Sequence, residues 1–219
     1  MLRVLTWNLF HGRSVPDVPR PLAREFARTL AGWEWDVALL QECPPWWPQA
    51  LARASGAHAY SAPTSRNQLL PLLRPLVSRR PDIVKSWGGG CNAILVRGAP
   101  ATAHARRRLR LSPERRVMHA VRLVSGVWIG NVHAQAHRIK WAQADIDETA
   151  ATLLCRCGDE PAALGGDLNL RKPVVSGFAS AGGHVLDHVF VRGLDVAERA
   201  RTLERGGLSD HMPVVATLR

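Results

Sequence analysis

Apolar positions recur along the chain with two different periods, and the two periods alternate. Short apolar runs that end on polar groups predict buried strands at Arg3–Asn8, Asp36–Gln41, Asn92–Arg97 and Val117–Val124. Others fall at Ala105–Leu111, Val127–His133, Ala162–Leu164, Val185–Val191 and Val214–Leu218, with an edge strand over Leu194–Leu203. Ser125-Gly126 signals a tight turn between two of them. Helical spacing appears where Leu22, Phe26 and Leu30 follow one another by four, predicting a helix over Pro21–Ala31 that stops at Gly32. The clearest helix is Ile139–Cys157. Ile139, Ala142, Ile146, Ala150, Leu153 and Leu154 share one face, and Gly158 lies just beyond. A short helix is expected near Trp47–Ala54. Asn67–Val77 has helical character interrupted by Pro71 and Pro75, Gly88-Gly89-Gly90 reads as a flexible joint, and a Gly/Ser-rich loop precedes Val185. Strands outnumber helices, several are hairpin-connected, and the helices come singly. This predicts an α/β chain of α+β type, with two packed, mainly antiparallel sheets and helices on their outer faces.

The polar groups at the strand ends span the whole sequence. They must meet in space to act together, so one catalytic domain over residues 1–219 is expected. No run of about 18 apolar residues occurs, and no transmembrane helix is expected. Met1 leads straight into a strand pattern without a signal-peptide signature, so a cytoplasmic location is expected. Cys43, Cys91, Cys155 and Cys157 form no CxxC pair, which predicts free thiols.

Lys+Arg exceed Asp+Glu by 29 − 18 = +11. Such an excess favours polyanionic partners, nucleic acid above all, with peripheral contact to anionic lipid as the alternative. The only lysines are Lys85, Lys140 and Lys172, so the positive charge is mainly arginine.

The chemistry gathers at the strand ends. Asn8 closes the first apolar run, and Glu42 follows the second. A buried-strand Glu is costly unless paired or bound to a cation. His133 ends the Trp128–Val132 run. Asp167 and Asn169 follow Gly165-Gly166, two apart, and extended backbone would turn both to one face. An Asx turn is the competing explanation of that pair. Asp187 opens a strand, and Asp210-His211 sets an acceptor beside an imidazole with Pro213 behind it. Carboxylates, a carboxamide and histidines converging in one pocket suit metal-assisted attack on phosphate.

Taken in order, Thr6-Trp7-Asn8, Leu40-Gln41-Glu42, Gly90-Cys91-Asn92-Ala93-Ile94-Leu95, Asn131-Val132-His133, Gly166-Asp167-Leu168-Asn169, Leu186-Asp187-His188 and Ser209-Asp210-His211-Met212-Pro213 resemble the endonuclease/exonuclease/phosphatase superfamily, the deoxyribonuclease-I-like fold. The resemblance covers essentially the whole chain. It implies a four-layered sandwich with the site at one edge of the two sheets. It implies Mg²⁺ or Mn²⁺ on Glu42 with Asn8 and Asp210 nearby. Asp167 would activate or orient the water, supported by Asn169. His211, held by Asp187, would stabilise charge on the phosphoryl oxygens. His133 would contact phosphate or assist the leaving group, and Asn92 would sit on the phosphate side.

Two departures stand out. Relatives that act on abasic DNA often carry an acid two residues after the first Asn, where this chain has Phe10. Only 17 residues separate Asn169 from Asp187, where many relatives carry a longer, helix-containing segment. The arginines of Arg106-Arg107-Arg108, Arg110 and Arg115-Arg116 are the candidate polyanion track, with Arg107, Arg108 and Arg116 its main substrate contacts. A solvated hairpin is the plain alternative. Trp33, Trp35, Trp46, Trp47 and Trp87 are either core or base-stacking residues. The leading expectation is a metal-dependent nuclease acting on DNA or RNA. A phosphatase or a phospholipid or small-molecule phosphodiesterase is the alternative, and a catalytically dead nucleic-acid-binding module is the non-enzyme reading.

Overall fold

A computed structural model describes residues 1–64, 67 and 70–219. In chain order the elements are β1 (Leu2–Asn8), α1 (Ala23–Gly32), β2 (Val37–Cys43), α2 (Pro48–Ser55), β3 (Ala57–Pro63), α3 (Leu70–Arg79), α4 (Pro81–Val84) and β4 (Cys91–Arg97). Then come β5 (Ala103–Arg110), β6 (Arg116–Arg122), β7 (Trp128–His133), α5 (Ile139–Cys157), β8 (Ala162–Asp167), β9 (Ala179–His184), β10 (Asp187–Arg192), β11 (Val196–Thr202) and β12 (Val214–Leu218). They build two six-stranded mixed sheets, ordered β11-β12-β1-β2-β4-β3 and β5-β6-β7-β8-β10-β9. β1/β2 and β7/β8 are parallel and the other pairs antiparallel.

Period-two alternation explains the layers. Val4, Leu39, Ile94, Val121, Ile129 and Val189 point between the sheets and form the central core. Their sequence neighbours Leu5, Leu40 and Leu95 point outward, where Phe26 and Leu30 of α1 and Leu51 of α2 cover them. On the other side Met118, Val132 and Leu164 meet Ile146 and Leu153 of α5. Each fully buried side chain of this size stabilises by roughly 1.5–3 kcal/mol relative to exposure. No helix among the described residues is long and apolar enough to cross a membrane.

Followed toward one end, the inward rows change from apolar to polar. Val4 gives way to Thr6 and Asn8, Leu39 to Gln41, and Ile129 to Asn131 and His133. Gln41 Nε2 donates to Thr6 Oγ1 (3.1 Å) and to Asn131 Oδ1 (2.8 Å). Asn131 Nδ2 donates across the gap to Leu40 O (3.1 Å) and Ala93 O (2.9 Å). This fully buried network pins the sheets together beneath the polar end. Asn131→Ala would remove the side-chain donor to the Leu40 and Ala93 carbonyls in a dry interior, at roughly 1–3 kcal/mol per orphaned group, while Gln41 Nε2 keeps Thr6 Oγ1 and Leu39 O. A loss of about 3 kcal/mol or more is expected in urea unfolding. A loss below about 1 kcal/mol would mean that the network contributes no net stability.

The structure departs from the sequence expectations at weakly apolar segments. β3 (AHAYSAP) and β9 (ASAGGH) were not expected. Both are edge strands, held by backbone pairing to one neighbour, so little apolar patterning marks them. Gly88, Gly89 and Gly90 are buried rather than a flexible joint. Gly90 O accepts from Thr64 N (2.9 Å) and from Asn67 Nδ2 (3.0 Å). The helix expected over Asn67–Val77 appears as α3 with Pro75 inside it; residues 68 and 69 lie outside the described residues.

Candidate active site

Strand register assembles the site. His133 of β7 is opposite Asp167 of β8, and Asp167 is opposite Asp187 of β10. Three residues far apart in sequence thus form one row on the inner face. β8 approaches β7 closely here: at Gly166, with φ +144°, a Cβ would lie 1.9 Å from Val132 O, so only glycine fits just before Asp167. Phe10, His11, Glu42, Asn169, Val185 and Ser209 all have φ between +47° and +63°. Non-glycine residues held in that region cost roughly 1–3 kcal/mol each and cluster at functional sites.

Asp167 is the hub. Its Oδ2 accepts from Asn8 Nδ2 (2.9 Å), and its Oδ1 accepts from the Asn169 backbone N–H (3.0 Å). His133 Nε2 stands 3.4 Å and His211 Nε2 3.8 Å from Oδ2. His211 Nδ1 donates to Asp187 Oδ2 at 2.7 Å. The His211 loop is fixed from below. Ser209 Oγ donates to Asn8 O (2.7 Å) and accepts from His211 N (3.0 Å), while Trp7 Nε1 donates to His211 O (3.2 Å).

Burial raises the Asp187 carboxyl to about 7; Asp167 adds to this and the His211 hydrogen bond opposes it. Burial alone would lower His211, but the Asp187 hydrogen bond and the surrounding carboxylates outweigh it and hold the imidazolium up to about 9. His133 goes the other way. Burial first, then Arg116 and His211, push it well below the usual histidine range, so it is neutral.

Several expected residues sit differently. Asn169 does not share a strand face with Asp167, because β8 ends at Asp167 and Asn169 is left-handed. The pair forms an Asx turn, and Asn169 Nδ2 donates to Ala134 O (2.9 Å). The Oδ1 of Asn8 accepts from Phe10 N (3.0 Å), so both ends of that amide are engaged. Asn92 is fully buried and gives its amide to Val117 O (2.9 Å); it braces the sheets and does not face the row. Asp210 is 44 % exposed and lines a cavity of about 160 Å³ with Asp187, His211, Val185 and Met212. It does not line the Glu42 cavity.

The arginines do not form one track. Arg116 is only 5 % exposed and pairs with Glu114 at 2.6 Å inside the site. Arg107 pairs with Glu148 of α5 at 3.0 Å, in a groove away from the row, and Arg110 pairs with Asp145 at 3.2 Å. Arg108 is exposed on β5. The register shift between Arg108 and Arg110 and the alternation of β5 send these side chains in different directions. Trp35 and Trp47 are core, Trp33 and Trp46 pack against it, and Trp87 is 70 % exposed.

Glu42 lies at a bulge in the β2/β4 ladder, between Leu40 and Cys43. It shares a cavity of about 30 Å³ with His11, Thr64, Ser86, Glu114, Arg116 and His133. His11 and Glu114 were not singled out from the sequence. Their only local signals are Gly12 after His11 and the acid next to two arginines in Glu114-Arg115-Arg116. Among the described residues, Asp167, Asp187 and His211 also bring one ligand atom each within 4.8 Å of one another. Within this group His211 Nδ1 is already committed to Asp187 Oδ2 at 2.7 Å.

A sequence model of the Endonuclease/Exonuclease/phosphatase family matches residues 5–211. The fold is similar to the crystal structure of an endonuclease/exonuclease/phosphatase from Beutenbergia cavernae (TM-score 0.75, 20 % identity, 100 % of this chain and 71 % of that one). It is also similar to a mannosyl-6-phosphatase of Bacteroides thetaiotaomicron (TM-score 0.71, 15 % identity, 100 % of both chains). A truncated TDP2 of Caenorhabditis elegans is similar too (TM-score 0.70, 15 % identity, 99 % of this chain and 96 % of that one). At these identities the likeness is one of fold. No curated protein matches the chain in sequence.

Proposed function

Since the chain belongs to the endonuclease/exonuclease/phosphatase family, whose members are hydrolases that typically use a divalent metal, we propose that it hydrolyses phosphoesters with a divalent cation at Glu42. The observation that carries this reading is the Asn8–Asp167–His211–Asp187 chain of contacts, with Glu42 in a small polar cavity that shares His133. Glu42 suits a hard cation, because its carboxylate offers oxygen ligands and is partly exposed to a polar cavity, with His11 Nε2 at 3.2 Å. The bound cation would neutralise charge building on the phosphoryl oxygens.

The remaining roles fall to the chain's own groups. Asp167, oriented by Asn8 and Asn169, accepts the proton of the attacking water as the new P–O bond forms. His211 Nε2–H, with Nδ1–H tied to Asp187, donates to a phosphoryl oxygen as the bond to the leaving oxygen breaks. His133, neutral and buried, donates a hydrogen bond and carries no charge to lend.

For the substrate we favour a small phosphoester or a terminal phosphate. Three of the arginines expected to line a polyanion track, Arg107, Arg110 and Arg116, are paired with Glu148, Asp145 and Glu114, and the cavities flanking the row are small. A nuclease is the second reading, favoured by the net charge of +11. The test is a panel of phosphomonoesters, a small diester, single- and double-stranded DNA and RNA, each with Mg²⁺, Mn²⁺ or EDTA. Hydrolysis in EDTA at the metal-supplemented rate would refute the reading.

If DNA binds, Arg107→Ala with Arg108→Ala should leave the slope of log affinity against log salt unchanged. Two phosphate contacts would instead contribute about 0.7–0.9 each to that slope. A flattening of one to two units would establish the track and favour the nuclease.

A further inference from the structure

His11 is held by features outside the Asp167 row. A 3-10 turn spans Phe10–Gly12, with left-handed backbone at both Phe10 and His11. Gly12 closes it against the indole of Trp47, where a Cβ would lie 2.5 Å from the ring. The imidazole is largely buried, and its Nδ1 stands 3.2 Å from Gly89 O. A carbonyl oxygen only accepts, so Nδ1 carries the proton in that contact. Nε2 then faces Glu42 Oε2 at 3.2 Å. Nε2 and Oε2 thus face each other across a polar cavity of about 30 Å³.

A cation fits between the two atoms. Ligand bonds of about 2.1 Å at right angles place neighbouring ligand atoms about 3 Å apart. A backbone carbonyl on the far ring N–H is the usual support of a metal-bound histidine, fixing tautomer and ring orientation.

We infer that His11 Nε2 and Glu42 Oε2 together ligate the divalent cation, so that this site prefers a cation that accepts imidazole nitrogen, such as Mn²⁺, over Mg²⁺. The inference rests on the reading that Glu42 holds the cation. It adds a nitrogen donor from the residue just after Phe10, on a turn whose backbone presents that donor to the carboxylate. Mn²⁺, a first-row transition metal, accepts an imidazole nitrogen more readily than Mg²⁺, which takes oxygen ligands and water, and the later first-row metals accept it more readily still.

The test uses the full chain with Mn²⁺ and Mg²⁺ alone, without substrate. Mn²⁺ binding is titrated by electron paramagnetic resonance, and Mg²⁺ by competition. Pulsed resonance on the Mn²⁺-loaded protein reads nitrogen hyperfine coupling. The parent should favour Mn²⁺ by about tenfold or more and show histidine nitrogen coupling. His11→Asn and His11→Asp are the chosen variants, because Asn and Asp tolerate left-handed backbone best. Each should lose the nitrogen coupling and reduce the Mn²⁺-over-Mg²⁺ preference by about tenfold, within the 10–100-fold usual for perturbing a metal site.

Absence of nitrogen coupling in the parent overturns the inference whatever the variants do. So does unchanged coupling or unchanged preference in a folded variant, the result expected if His11 is an imidazolium paired with Glu42. Glu42→Gln separates the two levels. If it leaves Mn²⁺ affinity intact, the cation is not at Glu42 and both readings fall. If it abolishes binding while His11→Asn changes nothing, only the His11 inference falls.

Discussion

Asp167→Asn and His211→Ala are each expected to lower kcat by about a hundredfold or more, with little change in KM. Losses of this size are typical where an acid/base or charge-stabilising group acts in the chemical step. Asp167 is an acceptor with four neighbours, of which Asn8 and the Asn169 amide donate to it. An amide in its place keeps the volume but removes the base and sets an NH₂ against one of those donors. For His211 a second measurement separates chemistry from architecture. Among the described residues, Nδ1 pairs with Asp187 at 2.7 Å, and the Asp187 carboxylate makes no other hydrogen bond. If the two act as a unit, His211→Ala combined with Asp187→Asn should be no slower than the worse single variant. Steady-state kinetics on the most active substrate of the panel decide it. A rise in KM at constant kcat would reassign either residue to binding, and additive losses would separate His211 from Asp187.

Glu42→Gln carries the other large effect. The variant keeps shape and hydrogen-bonding capacity but loses the charge that holds a hard cation. Turnover should fall by about a hundredfold or more at saturating substrate, and the metal concentration giving half-maximal activity should rise. Glu42 sits at a bulge with φ +47°, so stability must be followed in parallel. Far-UV circular dichroism and the thermal midpoint should match the parent closely, because the side chain is partly exposed and contacts His11 at 3.2 Å. Parent-like activity with parent-like metal dependence would remove Glu42 from the cation site.

The layers of the fold were readable from periodicity. Runs such as Val37–Leu40 and Ile94–Val96 are apolar on both faces because each is covered by a helix or by the other sheet. The amphipathic stripe of α5 likewise marked the face that meets Met118 and Leu164. β3 and β9 were invisible because an edge strand is selected by backbone hydrogen bonds to its neighbour, and those leave no side-chain period.

The polar residues at strand ends were visible one by one, since a carboxylate after an apolar run is conspicuous in any sequence. Their contacts were not visible. The row of His133, Asp167 and Asp187 is a consequence of register between β7, β8 and β10, and register is settled by packing over whole strands rather than by local residues. Asn92 and Arg116 show the same limit in reverse. Both were expected on the phosphate or substrate side, and local sequence did not show that the sheets would set one against Val117 O and bury the other beside Glu114 in the Glu42 cavity. His11 went unnoticed because its position depends on two left-handed residues and the close packing of Gly12 on Trp47. Local sequence therefore determined which groups are available and which faces are buried. Only the tertiary structure decided which groups meet, because hydrogen bonds and ion pairs act over about 3 Å and depend on how distant segments come together.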